Sequence, residues 1–100
     1  GVIDAVVCFE GKYYIVEWKS HWLGPLIEDY GFEAMQKALD EGGYYLQSRI
    51  YAEALRRYLA GCGLVDFNKV FGGVFFLFPR GLDPEKKNST GIFLDRVFSR

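Results

Sequence analysis

The chain has 100 residues, half of them hydrophobic and 18% aromatic, with 12 basic against 13 acidic residues and a net charge of −1. This length and apolar content describe one globular domain with a single core and exclude a disordered chain. No apolar run reaches the length of a membrane span, there is no signal-peptide pattern, and a free-standing nucleic-acid-binding module would be more basic.

The opening stretch, Gly1 to Ser20, alternates apolar residues with a period of two, the pattern of strands. Strands over Val2–Phe9 and Lys12–Lys19 are expected, joined at Glu10-Gly11. A tight two-residue turn there sets Phe9 opposite Lys12, so residues whose numbers sum to 21 pair and Asp4 faces Glu17. Directly opposed Cβ atoms lie roughly 5 Å apart on one face of the sheet. Lys19, two residues beyond Glu17, shares that face at about 6–7 Å. Two carboxylates this close repel, so one takes up a proton or a cation intervenes. Lys19 supplies one positive charge, and a divalent metal would supply the rest, since Mg²⁺ takes one or two carboxylates plus waters and phosphate oxygens. The plainer reading is a salt bridge, Glu17–Lys19 or Asp4–Lys19, on a half-exposed sheet. Large apolar residues on both faces predict a hairpin covered on both sides, with Trp18 in the core.

Ser20–Asp29 reads as a loop punctuated by Gly24-Pro25. It carries His21, the chain's one histidine and a surface residue on this reading, and Trp22, which like Trp18 has a ring that a base can stack on. Gly31–Glu41 has helical spacing and stops at Gly42-Gly43. Tyr44–Ala60 is the strongest helical pattern, with Leu46, Ile50, Tyr51, Ala54, Leu55, Tyr58 and Leu59 forming its apolar face. Arg49, Glu53, Arg56 and Arg57 lie opposite, Glu53 and Arg57 at i,i+4. Gln47 and Tyr51 are one turn apart on a shared face; Tyr51 as core and Gln47 as a loop cap explain that pair equally simply.

Val70–Phe78 is a continuous apolar strand of the kind found inside a sheet, closed by Pro79. Leu82–Thr90 is a solvated loop containing Lys86 and Lys87, and Gly91–Val97 a last strand at an edge. Strand, helix, strand after the hairpin implies a parallel neighbour. The expected class is α/β: a mixed sheet, antiparallel hairpin plus parallel strand, with helices on its faces. Cys8 and Cys62, in apolar or glycine contexts without ligand spacing, read as buried free thiols of a reducing cytosol.

Gly1-Val2-Ile3-Asp4, twelve intervening residues, and then Glu17-Trp18-Lys19 resembles motifs I and II of the PD-(D/E)XK nucleases. More narrowly it is similar to their RecB-type branch, whose hairpin reads G-x-x-D and then (D/E)-x-K-(S/T). Gln47 to Tyr51 matches the branch's Q-x-x-x-Y signature, and Lys19-Ser20 with Trp22-Leu23-Gly24, Phe71 to Phe78 and Gly91-Ile92-Phe93 extend the likeness over nearly the whole chain. The resemblance implies a restriction-endonuclease-like sheet and a metal-dependent exodeoxyribonuclease. It implies Mg²⁺ or Mn²⁺ on Asp4, Glu17 and the backbone carbonyl of Trp18, with Gln47 and Tyr51 lining the site. Lys19 would orient or deprotonate the attacking water, stabilise the charged transition state, or serve as counter-ion to Glu17.

The same resemblance implies single-stranded DNA cut without sequence specificity, a helicase domain on the same polypeptide, RecC- and RecD-like partner subunits, no membrane, and a bacterial cytoplasm. Arg49, Arg56, Arg57, Lys86 and Lys87 are candidate phosphate contacts. A chain opening on a motif glycine inside a strand reads as one domain, residues 1–100, from the C-terminal part of a longer helicase–nuclease. RecB-type domains carry Asp where Glu17 stands, and their N-terminal helix and histidine ligand fall outside this chain; the absence of a cysteine cluster sets it apart from the iron–sulfur members. The rival readings are a catalytically inactive scaffold or DNA-binding module of the same fold, and a dimeric restriction or junction-cleaving nuclease.

Overall fold

Glu10 and Gly11 both adopt positive φ, 50° and 76°, the left-handed pair that lets a two-residue hairpin follow the twist of its strands. The turn joins β1 (Ala5–Phe9) to β2 (Lys12–Trp18) in the expected register, Phe9 against Lys12 and Ala5 against Val16. The structure, a computed structural model, describes residues 3–85 and 89–98. Gly1 and Val2 of the first motif, and Lys86 and Lys87, lie outside the described residues. Among the described residues the ladder begins at Ala5, where the sequence pattern starts the strand at Val2, so Asp4 stands just past its end.

Beyond β2 come a 3₁₀ turn (Ile27–Tyr30), helices α1 (Phe32–Glu41), α2 (Tyr44–Gly61) and the short α3 (Phe67–Val70), then β3 (Phe71–Leu77), a second 3₁₀ turn (Pro79–Gly81) and β4 (Ile92–Asp95). The two 3₁₀ turns and α3 carry no periodic signal in the sequence. The sheet order is β1-β2-β3-β4, with β3 parallel to β2 and antiparallel to β4. The apolar strand is thus interior and the last strand an edge, as expected. The β2–β3 register shifts between Tyr13 and Tyr14, where Gly72 is the extra residue. Gly73 then has φ +135°, and a Cβ there would sit 2.6 Å from the Asp95 carbonyl oxygen. Gly73→Ala combines left-handed strain with a backbone clash, and is expected to cost more than about 2 kcal/mol in a denaturant melt.

The buried side chains from Ile15 to Glu17, Val74 to Phe76 and Phe93 to Asp95 are all on one side of this sheet. Ile15, Glu17, Val74, Phe76, Phe93 and Asp95 face the helices and are buried. On the other face stand Ala5, Val7, Phe9, Tyr14, Val16, Trp18, Phe75, Leu77, Ile92 and Leu94, and none is buried. The hairpin is therefore not covered on both sides. Trp18 is not core either: alternation that turns Glu17 inward turns Trp18 outward, where it is 53% exposed.

Helix α2 is likewise rotated from expectation. Its buried positions are Tyr44, Ser48, Tyr51, Ala52, Leu55 and Leu59, while Leu46, Ile50 and Tyr58 are 68%, 57% and 69% exposed. The hydrophobic stripe is wider than the sheet it rests on, so only part of it finds cover. Glu53 takes both Arg56 and Arg57 on the outer side of the helix, and the Arg56 hydrogen bond is the main cause holding its carboxyl down at about 2. Cys8, on the edge strand, and Cys62, at the end of α2, are exposed free thiols and not buried. Among the described residues no helix is long and apolar enough to cross a membrane.

Candidate active site

The parallel pairing of β2 with β3 lays Glu17 beside Phe76 on the helix-facing side, directly under α2. The site is built from there. Glu17 is 6% exposed, and its Oε1 accepts the Tyr51 hydroxyl at 3.3 Å. Lys19 Nζ lies 3.8 Å from the same oxygen, donates to Gln47 Oε1 at 3.3 Å, and sits 5.4 Å from the centre of the Phe76 ring. Gln47 Nε2 in turn donates to the Tyr51 hydroxyl oxygen at 3.1 Å. The four side chains close a ring: Lys19 to Gln47, Gln47 to Tyr51, Tyr51 to Glu17, and Glu17 back to Lys19. One helical turn separates Gln47 from Tyr51, so α2 presents both to Glu17 at the end of β2 and Lys19 just past it.

Asp4, the residue just before β1, completes the cluster. Instead of pairing in the ladder, its Oδ2 accepts the backbone N–H of Trp18 at 2.9 Å. Trp18, whose carbonyl is the third expected metal donor, is thereby fixed to Asp4. The six groups that the motifs mark, Asp4, Glu17, Lys19, Gln47, Tyr51 and the Trp18 backbone, lie together at one end of the sheet.

Electrostatics set Glu17 apart. Burial pushes its carboxyl above the ordinary value of 4.5 and nearby Asp4 adds to the rise, against the opposing pull of Lys19 and the Tyr51 hydroxyl. Tyr51 is raised too, by its own burial first and by the charge of Glu17 second. Glu17 Oε2 is buried with no hydrogen-bond partner among the described residues. A buried carboxylate oxygen without a partner is costly, and it matches a cation or a proton as its counterpart. Among the described residues no third His, Cys, Asp or Glu joins the two carboxylates. The donor set thus suits an ion that keeps several waters or phosphate oxygens of its own, as Mg²⁺ does.

Tyr51→Phe would leave Gln47 Nε2 and Glu17 Oε1 each one partner short. We expect a loss of about 1–3 kcal/mol in thermal unfolding, with Glu17 pushed further up.

Other candidates fall outside the cluster. His21 is exposed in its loop, its ring 5.8 Å from that of Phe78. Arg49 is exposed on α2, and Arg56 and Arg57 are turned to Glu53. Phe76, the floor beneath Lys19, was not singled out by sequence; in a run of nine mostly apolar residues nothing marks one phenylalanine as the neighbour of an ammonium.

No family model matches the chain. It is 43% identical over 97 residues to the RecBCD enzyme subunit RecB of Haemophilus influenzae and 41% identical over 97 residues to that of Escherichia coli, in both cases across 96% of this chain. The corresponding subunit of Mycolicibacterium smegmatis is 38% identical over 89 residues, 82% of the chain. The chain spans 8% of the length of each of these relatives.

Proposed function

The chain belongs to the RecB-type domain family, and from that premise we propose that it is the nuclease core of an exodeoxyribonuclease acting at DNA ends in recombinational repair. Asp4, Glu17 and the Trp18 carbonyl would hold Mg²⁺ or Mn²⁺. The observation that carries this reading is Glu17: its Oε1 is engaged by Tyr51 and Lys19 while its Oε2 is buried and bare, on the side of the sheet shared with Asp4. A side chain held this way is oriented and still has one donor atom to give. When bound, such a cation neutralises phosphate charge and lowers the pKa of a coordinated water.

The protein's own groups do the rest. Lys19, kept in place by Gln47 and the face of Phe76, puts a fixed positive charge beside the phosphate, where it stabilises the charge that develops in the transition state. Gln47 and Tyr51 position Lys19 and Glu17 relative to each other. With a net charge of −1, the domain is a poor polyanion binder by itself. A helicase domain of the same polypeptide and RecC- and RecD-like subunits, in a bacterial cytoplasm, would bring single-stranded DNA to it without sequence preference.

The test is isothermal titration of Mn²⁺ into the nucleotide-free full-length polypeptide that carries this domain, beside its Asp4→Ala/Glu17→Ala variant, with single-strand cleavage followed in parallel. We expect the variant to lose one binding site and all cleavage. Cleavage that survives in the double variant would overturn the proposal.

A further inference from the structure

A second arrangement stands at the carboxyl ends of the parallel strands, outside the ring of side chains described above. β2 runs out through Lys19 and Ser20 to Trp22, and β3 through Phe78 and Pro79 to Arg80. Arg80 Nη1 donates to the Ser20 carbonyl at 2.9 Å, and its guanidinium carbon lies 5.8 Å from the centre of the Trp22 ring. The loop is anchored on both sides of Trp22: His21 packs against Phe78, and the Leu23 N–H donates to the buried Tyr30 hydroxyl at 3.3 Å, which itself donates to the Gly24 carbonyl at 3.1 Å. The Trp22 ring itself is 65% exposed. A loop held this firmly around an exposed indole is a display, and core packing does not account for it.

We propose that Trp22 and Arg80 form a single-nucleotide platform beside the metal site: a base of the DNA strand stacks on the indole, and the guanidinium pairs with an adjoining phosphate. This rests on the phosphodiesterase reading above and names the groups that hold its substrate. Stacking on an aromatic face is tolerant of sequence, because every base has such a face, which fits a site with no base-reading element. The fork of an arginine matches two phosphate oxygens at once, and Arg80 has one N–H committed to Ser20, which aims it without using up the others. The location agrees as well, since open α/β sheets take their ligands at the carboxyl ends of parallel strands.

The experiment uses the full-length protein and an oligodeoxynucleotide carrying 5-iodouracil at every position. Irradiation in EDTA, where no strand is cut, is followed by mapping of the adduct by mass spectrometry. The adduct is expected on Trp22, to move to the new ring in Trp22→Phe, and to vanish in Trp22→Ala. In Mg²⁺, Trp22→Ala should raise KM for single-strand cleavage about 5- to 100-fold, the range one stacked base supplies, with kcat nearly unchanged and with the wild-type melting curve. Trp22→Phe should recover most of that loss, and Arg80→Ala should shallow the salt dependence by about one charge. No adduct on Trp22, whatever forms on the helicase domain, or an unchanged KM in Trp22→Ala would overturn the platform. A wild-type protein that forms the Trp22 adduct yet cuts nothing would instead overturn the nuclease reading and leave the platform as a binding site.

Discussion

Glu17→Gln in the full-length protein is expected to lower single-strand cleavage at least about a thousandfold. The substitution keeps the shape of the side chain and leaves an oxygen for the Tyr51 hydroxyl now donating at 3.3 Å, so the ring of hydrogen bonds has no reason to collapse. What it removes is the charge behind the bare Oε2, and with it a metal ligand worth several kcal/mol in the transition state, each 1.36 kcal/mol being about tenfold in rate. The same variant has a second readout that does not involve activity. Burial raises Glu17 above 4.5, so the folded state binds this proton more tightly than the unfolded state does. The wild-type protein without metal should therefore gain stability as pH falls through that raised value toward 4.5, and carry a penalty above it. The substituted amide is neutral throughout. At neutral pH the metal-free variant should melt no lower than wild type, and the difference should shrink in mild acid. A variant that cleaves normally would show that Glu17 is a structural partner of Lys19 and no more.

Lys19→Met should reduce cleavage about 10²- to 10³-fold, the usual effect of deleting one group aimed at developing charge, while metal binding persists or tightens. The direction of the metal effect follows from the sign of the charge: the ammonium 3.8 Å from Glu17 Oε1 competes with a cation for the same carboxylate. The two measurements separate the roles open to this lysine. A counter-ion for Glu17 becomes dispensable once metal is bound, so Lys19→Met would then cut at the wild-type rate in saturating Mg²⁺. A catalytic lysine is missed most under that condition. Lys19→Arg should rescue poorly. Its planar fork has to fit a slot bounded by Gln47 Oε1 and the Phe76 ring that now holds a compact ammonium.

Much of this site is written locally in the chain. The turn at Glu10-Gly11 needs only two residues that tolerate positive φ, and once it forms, the register follows by counting; that is why Asp4 and Glu17 end up at the same level of the hairpin. The spacing of Gln47 and Tyr51 needs only a helix. The parallel neighbour follows from the order of elements and from a strand apolar on both faces. These are short-range matters of backbone geometry and period, and the family motifs mark which residues to watch.

The tertiary structure decided which side of everything faces in. Alternation states that Glu17 and Trp18 point opposite ways, but the choice between them was made by α2 settling over β2 and β3. That choice buried the carboxylate and left the indole of Trp18 outside. The same docking selected Tyr51 and Leu55 from a stripe that Leu46, Ile50 and Tyr58 share, because a helix with apolar residues over half its girth covers a sheet with only one line of contact. It also produced what the sequence could not contain: a closed ring from Lys19 to Glu17 through two residues 28 and 34 positions from their partners, and an arginine at position 80 set against a tryptophan at 22. Contacts between residues far apart in the chain depend on how whole elements pack, and no local period encodes them.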